Sequence, residues 1–494
     1  MDTMYDKNNP LSIEEFAKKL RGHTFQDIIE GTIQSHVSNN YKSVSDVKES
    51  YGNVMRKGGL GNLLEKLYFG YEINNNSDAD FQSAGVELKV SPYEIKKDGS
   101  KRAGERLVLS MISYSKPVDF DFYESHLWKK CRLLLLIYYL RDKKLKSNLM
   151  YRIDYVKLFT PPAADLKIIE DDYKVIINKI VSGKAHELSE SDTMYLGACT
   201  KGSTAEKSTV PQYYNKYVLA RKRAFCYKVS YMTSVLNNYI ANSKDTFELI
   251  IKDVKDLEKQ TFSEYIIRKI NSYVGSTDRE LCTIFNREYN NNKSQWYDLI
   301  FRMLGIKSNN ALEFQKANIV VKAIRLNSKG KIVESSPLPQ INFLELIKEE
   351  WEESALYRYL SETKFLFVIY KQFEDEYVLK GCQLWNMPLS DLNEIVQKGW
   401  NDIKRVIIDG VKLYKVKHKN GIVFKNNLPK KKDNSIIHIR PHARKSYYIL
   451  ENGVRFGPGS ISDADMLPDG RWIPKQSFWI NNTYILSILN KELL

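Results

Sequence analysis

The segment FQSAGVELKV, Phe81–Val90, has a partner in FQKANIVVKA, Phe314–Ala323, with four of the ten positions identical and most of the rest similar. A second echo closes each half of the chain. Phe225, Tyr231, Ser234 and Leu236 recur as Phe478, Tyr484, Ser487 and Leu489, all at one spacing. Two matches in the same order read as a tandem duplication, so the chain is expected to build two units of one kind rather than a single core. Its 494 residues allow this at roughly 100–200 residues per domain. The expected division is a first unit over 1–237, a mostly helical linker over 238–260 and a second unit over 261–494.

Local pattern sets the class of fold. A helix is expected from Ser12, where Ser12 and Glu15 form a capping box and Ile13, Phe16, Ala17 and Leu20 fall at helical spacing, with Gly22 closing it. A second helix over Leu60–Tyr68 gathers Leu60, Leu63, Leu64 and Leu67 on one face and sets Glu65 beside it. After an Asn-rich turn at Asn74–Ser77, Val86, Leu88 and Val90 alternate with Glu87 and Lys89, the period of a strand with one buried face. Cys131–Tyr139 reads as a central strand. Helices and strands mixed in this way predict a mixed α/β (α+β) fold.

Composition excludes several classes of function. Hydrophobic residues make up 43% and charged residues 27%, which suits globular cores and is too apolar for a disordered chain. No apolar run approaches the ~18 residues that a bilayer span requires. Met1–Pro10 is polar with no apolar stretch behind it, so no signal peptide and no membrane partner are expected, and the cytoplasm is the predicted location. Cys131, Cys199, Cys226, Cys282 and Cys382 are odd in number and form no CxxC pair, which argues against a disulfide framework and a zinc knuckle. Lys and Arg number 75 against 60 Asp and Glu, a formal net charge of +15. An excess of that size usually faces a polyanion, and nucleic acid is the leading partner. GGLG at Gly58–Gly61 lacks the remainder of a nucleotide-binding loop, so a nucleotide-driven motor is not expected.

The chemistry-bearing residues are Glu65, Asp80, Glu87 and Lys89. Asp80 and Glu87 can converge from neighbouring strands on a hard divalent cation, which takes oxygen ligands, and Mg2+ is the natural choice. Glu87 and Lys89 stand two apart on a strand and share a side, which sets an ammonium where water attacks phosphorus. Such a Lys orients or activates the water and offsets charge developing on phosphate oxygens. The Leu88 backbone carbonyl is a further candidate ligand, and Glu65 could hold a second metal or order the Lys and the water. At the repeat spacing Glu65 falls on Asp298, Asp80 on Glu313 and Lys89 on Lys322, but Glu87 falls on Val320.

KGGLGNLLE (Lys57–Glu65), ADFQSAGVELK (Ala79–Lys89), ESHLWKK (Glu124–Lys130) and YLGACTKGSTA (Tyr195–Ala205) resemble, in order, the motifs of MutH-like endonucleases. That family includes the mismatch-repair nickase MutH and related type II restriction enzymes that cut at GATC. The resemblance covers roughly residues 10–237 and recurs more weakly to the C-terminus. It implies a restriction-endonuclease-like fold in a bacterial cytoplasm, Mg2+-dependent cleavage by Asp80, Glu87 and Lys89 with support from Glu65 and Lys130, and double-stranded GATC DNA as substrate. Lys57 resembles the family's DNA-contacting Lys, and His126, within the third motif, reads as a structural hydrogen-bonding residue. A restriction enzyme also implies a cognate DNA methyltransferase and allows a DNA-induced dimer.

The chain departs from the family at the base-reading loop, which runs Arg-Pro-Lys in the nickase. The first half offers Cys199-Thr200-Lys201, whereas the second keeps Arg440 and Pro441, with His442 in the Lys place. An Arg can pair bidentately with a guanine edge. Cys226 and Trp479 occupy matching places where the family holds an aromatic near the adenine of the site, and packing is the alternative role. With Val320 unable to bind a cation, the second half is expected to be a cleavage-dead copy that reads DNA as an effector. A mismatch-repair nickase and a non-cleaving or methylation-sensing DNA binder are the competing readings.

Overall fold

The computed structural model describes residues 4–31, 59–71, 78–96, 98–142, 144–202, 208–241, 247–290, 292–308, 310–418 and 421–494. Lys57 and the Asn74–Ser77 turn lie outside the described residues. The chain divides into two units, Met1–Phe262 with Asn310–Asn318, and Ser263–Asn309 with Ile319–Leu494.

In the first unit the apolar run forms strand β4, Leu134–Leu140, whose first five side chains are buried, as in a strand covered on both faces. It lies inside a sheet of order β2-β1-β4-β5, with β1 at Glu87–Ile95, β2 at Lys101–Ala103 and β5 at Arg152–Phe159. β1 runs parallel to β4, with Glu87 opposite Leu134 and Lys89 opposite Leu136, and β5 is antiparallel to β4. Phe16, Leu63, Leu67, Val86, Leu88, Leu135 and Ile137 belong to one buried cluster, so helices and sheet share a core. A second sheet, of order β3-β9-β6, joins Leu107–Met111 (β3), Leu196–Thr200 (β6) and Arg223–Tyr227 (β9), and Thr209–Val210 (β7) pairs with Ala220–Arg221 (β8).

The second unit has β10 (Ile319–Leu326) parallel to β12 (Lys364–Phe373), with β13 (Glu376–Trp385) antiparallel to β12. Val320 stands opposite Phe365 and Lys322 opposite Phe367. Its second sheet has the order β11-β21-β16, from Ser336–Gln340 (β11), Ile437–Pro441 (β16) and Gln476–Ile480 (β21). Leu413–His418 (β14) and Gly421–Asn426 (β15) form a hairpin, and Tyr448–Ile449 (β17), Arg455–Phe456 (β18), Ala464–Met466 (β19) and Trp472–Pro474 (β20) make a small antiparallel sheet. Each unit therefore has a parallel pair extended by an antiparallel strand, and a separate sheet of three antiparallel strands.

Several expectations are corrected. The first helix is Pro10–Lys18, capped by Asn9, whose Oδ1 accepts from Leu11 N–H at 3.0 Å. Pro10 suits a first helical position because it has no N–H to satisfy, and Ser12 instead accepts from Asp6 N–H at 2.9 Å. The α-helix Gly59–Leu63 passes into a π-turn at Leu64–Tyr68. Cys131 ends the helix His126–Cys131 rather than opening the strand. Within the expected linker 238–260, the described residues hold the end of the π-turn Leu236–Ile240 and one 3-10 turn, Val254–Leu257, with the rest of 247–260 irregular. Glu248 N–H there donates to Asn310 O at 3.1 Å and Leu312 N–H to Glu248 O at 2.9 Å, which ties 310–318 into the first unit.

That segment is held by charge as well. Lys316 is buried and donates to both carboxylate oxygens of Asp165, at 2.7 and 2.8 Å. Glu313 accepts from the N–H groups of Ile250 and Ile251 at 3.1 and 3.0 Å. Among the described residues no helix is long and apolar enough to cross a membrane.

Candidate active site

The chain reaches the site through a tight reversal. Asp80 lies in a bend rather than on a strand, and the 3-10 turn Gln82–Ala84 with Gly85 at φ +64° folds the chain back. Phe81 N–H then donates to Val86 O at 2.9 Å. Gly85 is required by its left-handed backbone, and the Arg132 guanidinium rests over it. The reversal sets Asp80 Oδ2 against Leu88 N–H at 2.8 Å, as β1 begins.

Glu87 is 3% exposed and shared by two ammonium groups. Lys89 Nζ donates to its Oε1 at 2.7 Å, and Lys130 Nζ donates to Oε1 and Oε2 at 3.3 and 3.2 Å. Lys130 comes from the last turn of His126–Cys131, a helix whose start is fixed by Ser125 Oγ accepting from Trp128 N–H at 3.1 Å. His126 opens that helix, and burial pulls its imidazole below the usual range. Glu65 sits in the π-turn. Burial first, then Asp80, with Glu87 behind, pushes its carboxyl up to about 7, while Lys89 and Lys130 pull the other way. Burial and Glu87 likewise raise Asp80. Three carboxylates and two ammonium groups therefore feel one another at one end of β1.

Sequence reasoning missed Tyr71. Its hydroxyl is buried without a hydrogen-bond partner among the described residues, and burial, with Asp80 and Glu65 next, raises it. Nothing in the sequence around it marks that role. Among the described residues no three His, Cys, Asp or Glu side chains stand together as a metal-ligating group. The donor chemistry still fits a hard divalent cation: the donors are all oxygen, and Asp80 and Glu65 carry the mutual repulsion that a cation relieves. Asp80 and Glu87 are the residues that would hold it, with Glu65 and the Leu88 carbonyl as further oxygens.

The expected base-reading residues fall at corresponding places in the two units. Ala198 faces Phe225 across β6 and β9, and Ile439 faces Phe478 across β16 and β21, so Cys199-Thr200-Lys201 corresponds to Arg440-Pro441-His442. Their surroundings differ. Cys199 is buried beside Cys226, which lowers its thiol, while burial raises Cys226, whose Sγ donates to Gly197 O at 3.6 Å. Thr200 and Lys201 are half-buried, and Lys201 N–H donates to Lys222 O at 2.8 Å. Arg440, Pro441 and His442 are exposed. The Arg440 guanidinium lies 3.6 Å from the ring centre of Trp479, and His442 packs edge-on against the same ring at 5.1 Å. The counterparts of the acidic residues have other partners: Asp298 holds Arg287 and Arg302 at 2.5 and 3.1 Å, and Glu313 holds Ile250 and Ile251.

A family model described as DNA mismatch repair enzyme MutH matches residues 69–172, which contain Asp80, Glu87, Lys89 and Lys130. The type II restriction enzyme Sau3AI of Staphylococcus aureus is 32% identical over 468 residues, covering 90% of this chain and 94% of that enzyme. This chain belongs to the MutH-like type II restriction endonucleases. This restriction endonuclease is a site-specific deoxyribonuclease, and a double-stranded DNA is its substrate. Glu65 lies just ahead of the matched stretch and Cys199–Lys201 beyond it.

The raised Glu65 carboxyl gives the restriction endonuclease a pH signature. The folded chain keeps a proton that the unfolded chain releases from about pH 4.3 upward, so this contribution to stability is lost as pH rises through about 7. With EDTA present, Glu65→Gln is expected to gain melting temperature over wild type at pH 8 relative to pH 5. An equal difference at both pH values would contradict the assigned shift.

Proposed function

We propose that the enzyme cuts both strands of DNA at or beside GATC, with Mg2+ held by Asp80 and Glu87 in the first unit. The observation that carries this reading is Glu87, a buried carboxylate shared by Lys89 and Lys130 inside the stretch that matches MutH. A cation there supplies Lewis-acid polarisation of a phosphoryl oxygen and a more acidic water. Lys89, on the same side of β1 as Glu87, orients the attacking water and offsets charge on the phosphate oxygens. Lys130 keeps the Glu87 carboxylate in place through both of its oxygens. Glu65, beside Asp80 and Glu87, is suited to ordering the water and Lys89.

The second unit is then a cleavage-dead copy that reads DNA as an effector. Matching strand orders support the duplication. Val320 has no oxygen to offer, and the carboxylates of Asp298 and Glu313 are already bonded within their own units. Exposed Arg440, stacked on Trp479, is preorganised to meet a guanine edge. A cognate methyltransferase protecting GATC and a DNA-induced dimer follow from the same reading, in a bacterial cytoplasm.

Glu87→Gln and Lys89→Met are expected to lose about 10^2–10^4 in cleavage rate on a duplex containing GATC while still binding it, and EDTA stops the wild type. Sequencing the product ends fixes the site, and near wild-type cutting by either variant would refute the assignment. Arg440→Ala removes a contact of about 1–3 kcal/mol without touching the cleavage centre. It should slow cutting of two-site duplexes much more than one-site duplexes, and an uncut site oligonucleotide should stimulate wild type alone. Equal one-site and two-site rates in both proteins would remove the effector role.

A further inference from the structure

Where β1 of the first unit carries Glu87 two residues before Lys89, β10 of the second carries Val320 two residues before Lys322. Lys322 lines a pocket of about 100 Å³ together with Lys293, Trp296, Arg325, Glu334 and Pro337. Three cations thus face one carboxylate. Lys322 Nζ donates to Pro337 O at 3.0 Å, and among the described residues no carboxylate pairs with it. Burial lowers its ammonium to about 8, the behaviour of a cation enclosed without a counter-charge. A second donor is also unspent: Trp296 Nε1 is buried with no hydrogen-bond partner among the described residues.

The pocket adjoins the Arg440 loop. Glu334 pairs with Lys293 at 2.8 Å, and its carboxyl is held low by Lys293 and, behind it, by Arg325 and Arg440. Pro337 stands opposite Trp479, the ring on which Arg440 stacks. A base-reading Arg and a cationic pocket on one face match the way proteins divide DNA contacts between base edges and phosphates.

We propose that this pocket is a phosphate site in which Lys322, Lys293 and Arg325 grip a backbone phosphate of the DNA strand that Arg440 reads. The place that in the first unit gathers carboxylates has inverted its charge in the second and takes the phosphate directly, without a metal. Lys322 also fixes β10 to β11 through Pro337, so phosphate and strand edge are held by one side chain. This inference rests on the reading of the second unit as a DNA-binding copy.

The test uses the full chain in EDTA, with a labelled GATC duplex titrated across a salt series. Lys322→Met and Lys293→Met are each expected to weaken binding several-fold and to reduce the slope of log K against log salt by about 0.9, the loss of one phosphate contact. Lys293 is 73% exposed in its side chain, so its variant folds even if Lys322→Met does not. Inorganic phosphate should raise the melting temperature of wild type but not of Lys322→Met. Protection by inorganic phosphate with an unchanged duplex slope would overturn the DNA backbone as the source. Unchanged slopes in both variants, with no phosphate protection, would overturn the site and leave Lys322 as a tie to Pro337. Arg440→Ala in the same titration reports separately on whether the second unit binds DNA at all.

Discussion

A carboxylate that is 3% exposed cannot stay charged without partners, and Glu87 has two, one from its own strand and one from a separate helix. Lys89 reaches it because side chains two apart on β1 share a side, and Lys130 because Ser125 caps the helix that ends next to β4. Asp80 depends on the same arrangement, since it bonds the N–H of the residue after Glu87. The left-handed Gly85, with Arg132 packed over it, closes the reversal that makes this bond possible. One buried carboxylate therefore draws together β1, the reversal before it and the helix His126–Cys131, and the proposed nuclease chemistry rests on what is gathered around it.

The second unit shows what the same strand plan does when that charge is removed. β10 and β12 repeat the parallel register of β1 and β4, yet Val320 brings no carboxylate. Lys322 turns to the Pro337 carbonyl, and the neighbourhood becomes cationic. The strand pairs that carry Cys199 and Arg440 diverge in the opposite sense. Cys199 sinks into a small buried cluster with Ala224 and Cys226, whereas Arg440 stays exposed over Trp479. The gathered carboxylates lie in one unit and an accessible arginine in the other.

Much of this was legible in the sequence because it rests on periodicity. The apolar run in Cys131–Tyr139 announced a central strand, the alternation around Val86–Val90 put Glu87 and Lys89 on one side, and the repeat located Val320 and Lys322. What stayed hidden depends on contacts distant in sequence or on competing caps. Asn9 displaced Ser12 as helix cap, and the π-turn at Leu64–Tyr68 cannot be told from a regular helix by its leucines. Cys131 is apolar enough to read as strand, yet it completes the helix that Ser125 begins. The linker's backbone bonds to residues 310–312 and the Lys316–Asp165 ion pair assign Asn310–Asn318 to the first unit, although sequence order places it in the second half. Tyr71 and the Arg440–Trp479 stack are products of tertiary packing alone. The strand that presents Cys199 is likewise steadied by Asp172, which accepts from the N–H groups of Met194, Tyr195 and Leu196, and by Arg223, which donates to Ala198 O at 2.6 Å.

The most direct measurement locates the cation on the chain itself. Fe2+ bound in place of Mg2+ generates hydroxyl radicals with ascorbate and peroxide and breaks the backbone beside its ligands. The result expected is cleavage near residues 80–89, suppressed by excess Mg2+, with none near 313–322. Mg2+-sensitive breaks around 313–322, or their absence around 80–89, would contradict a single cleavage centre built on Asp80 and Glu87.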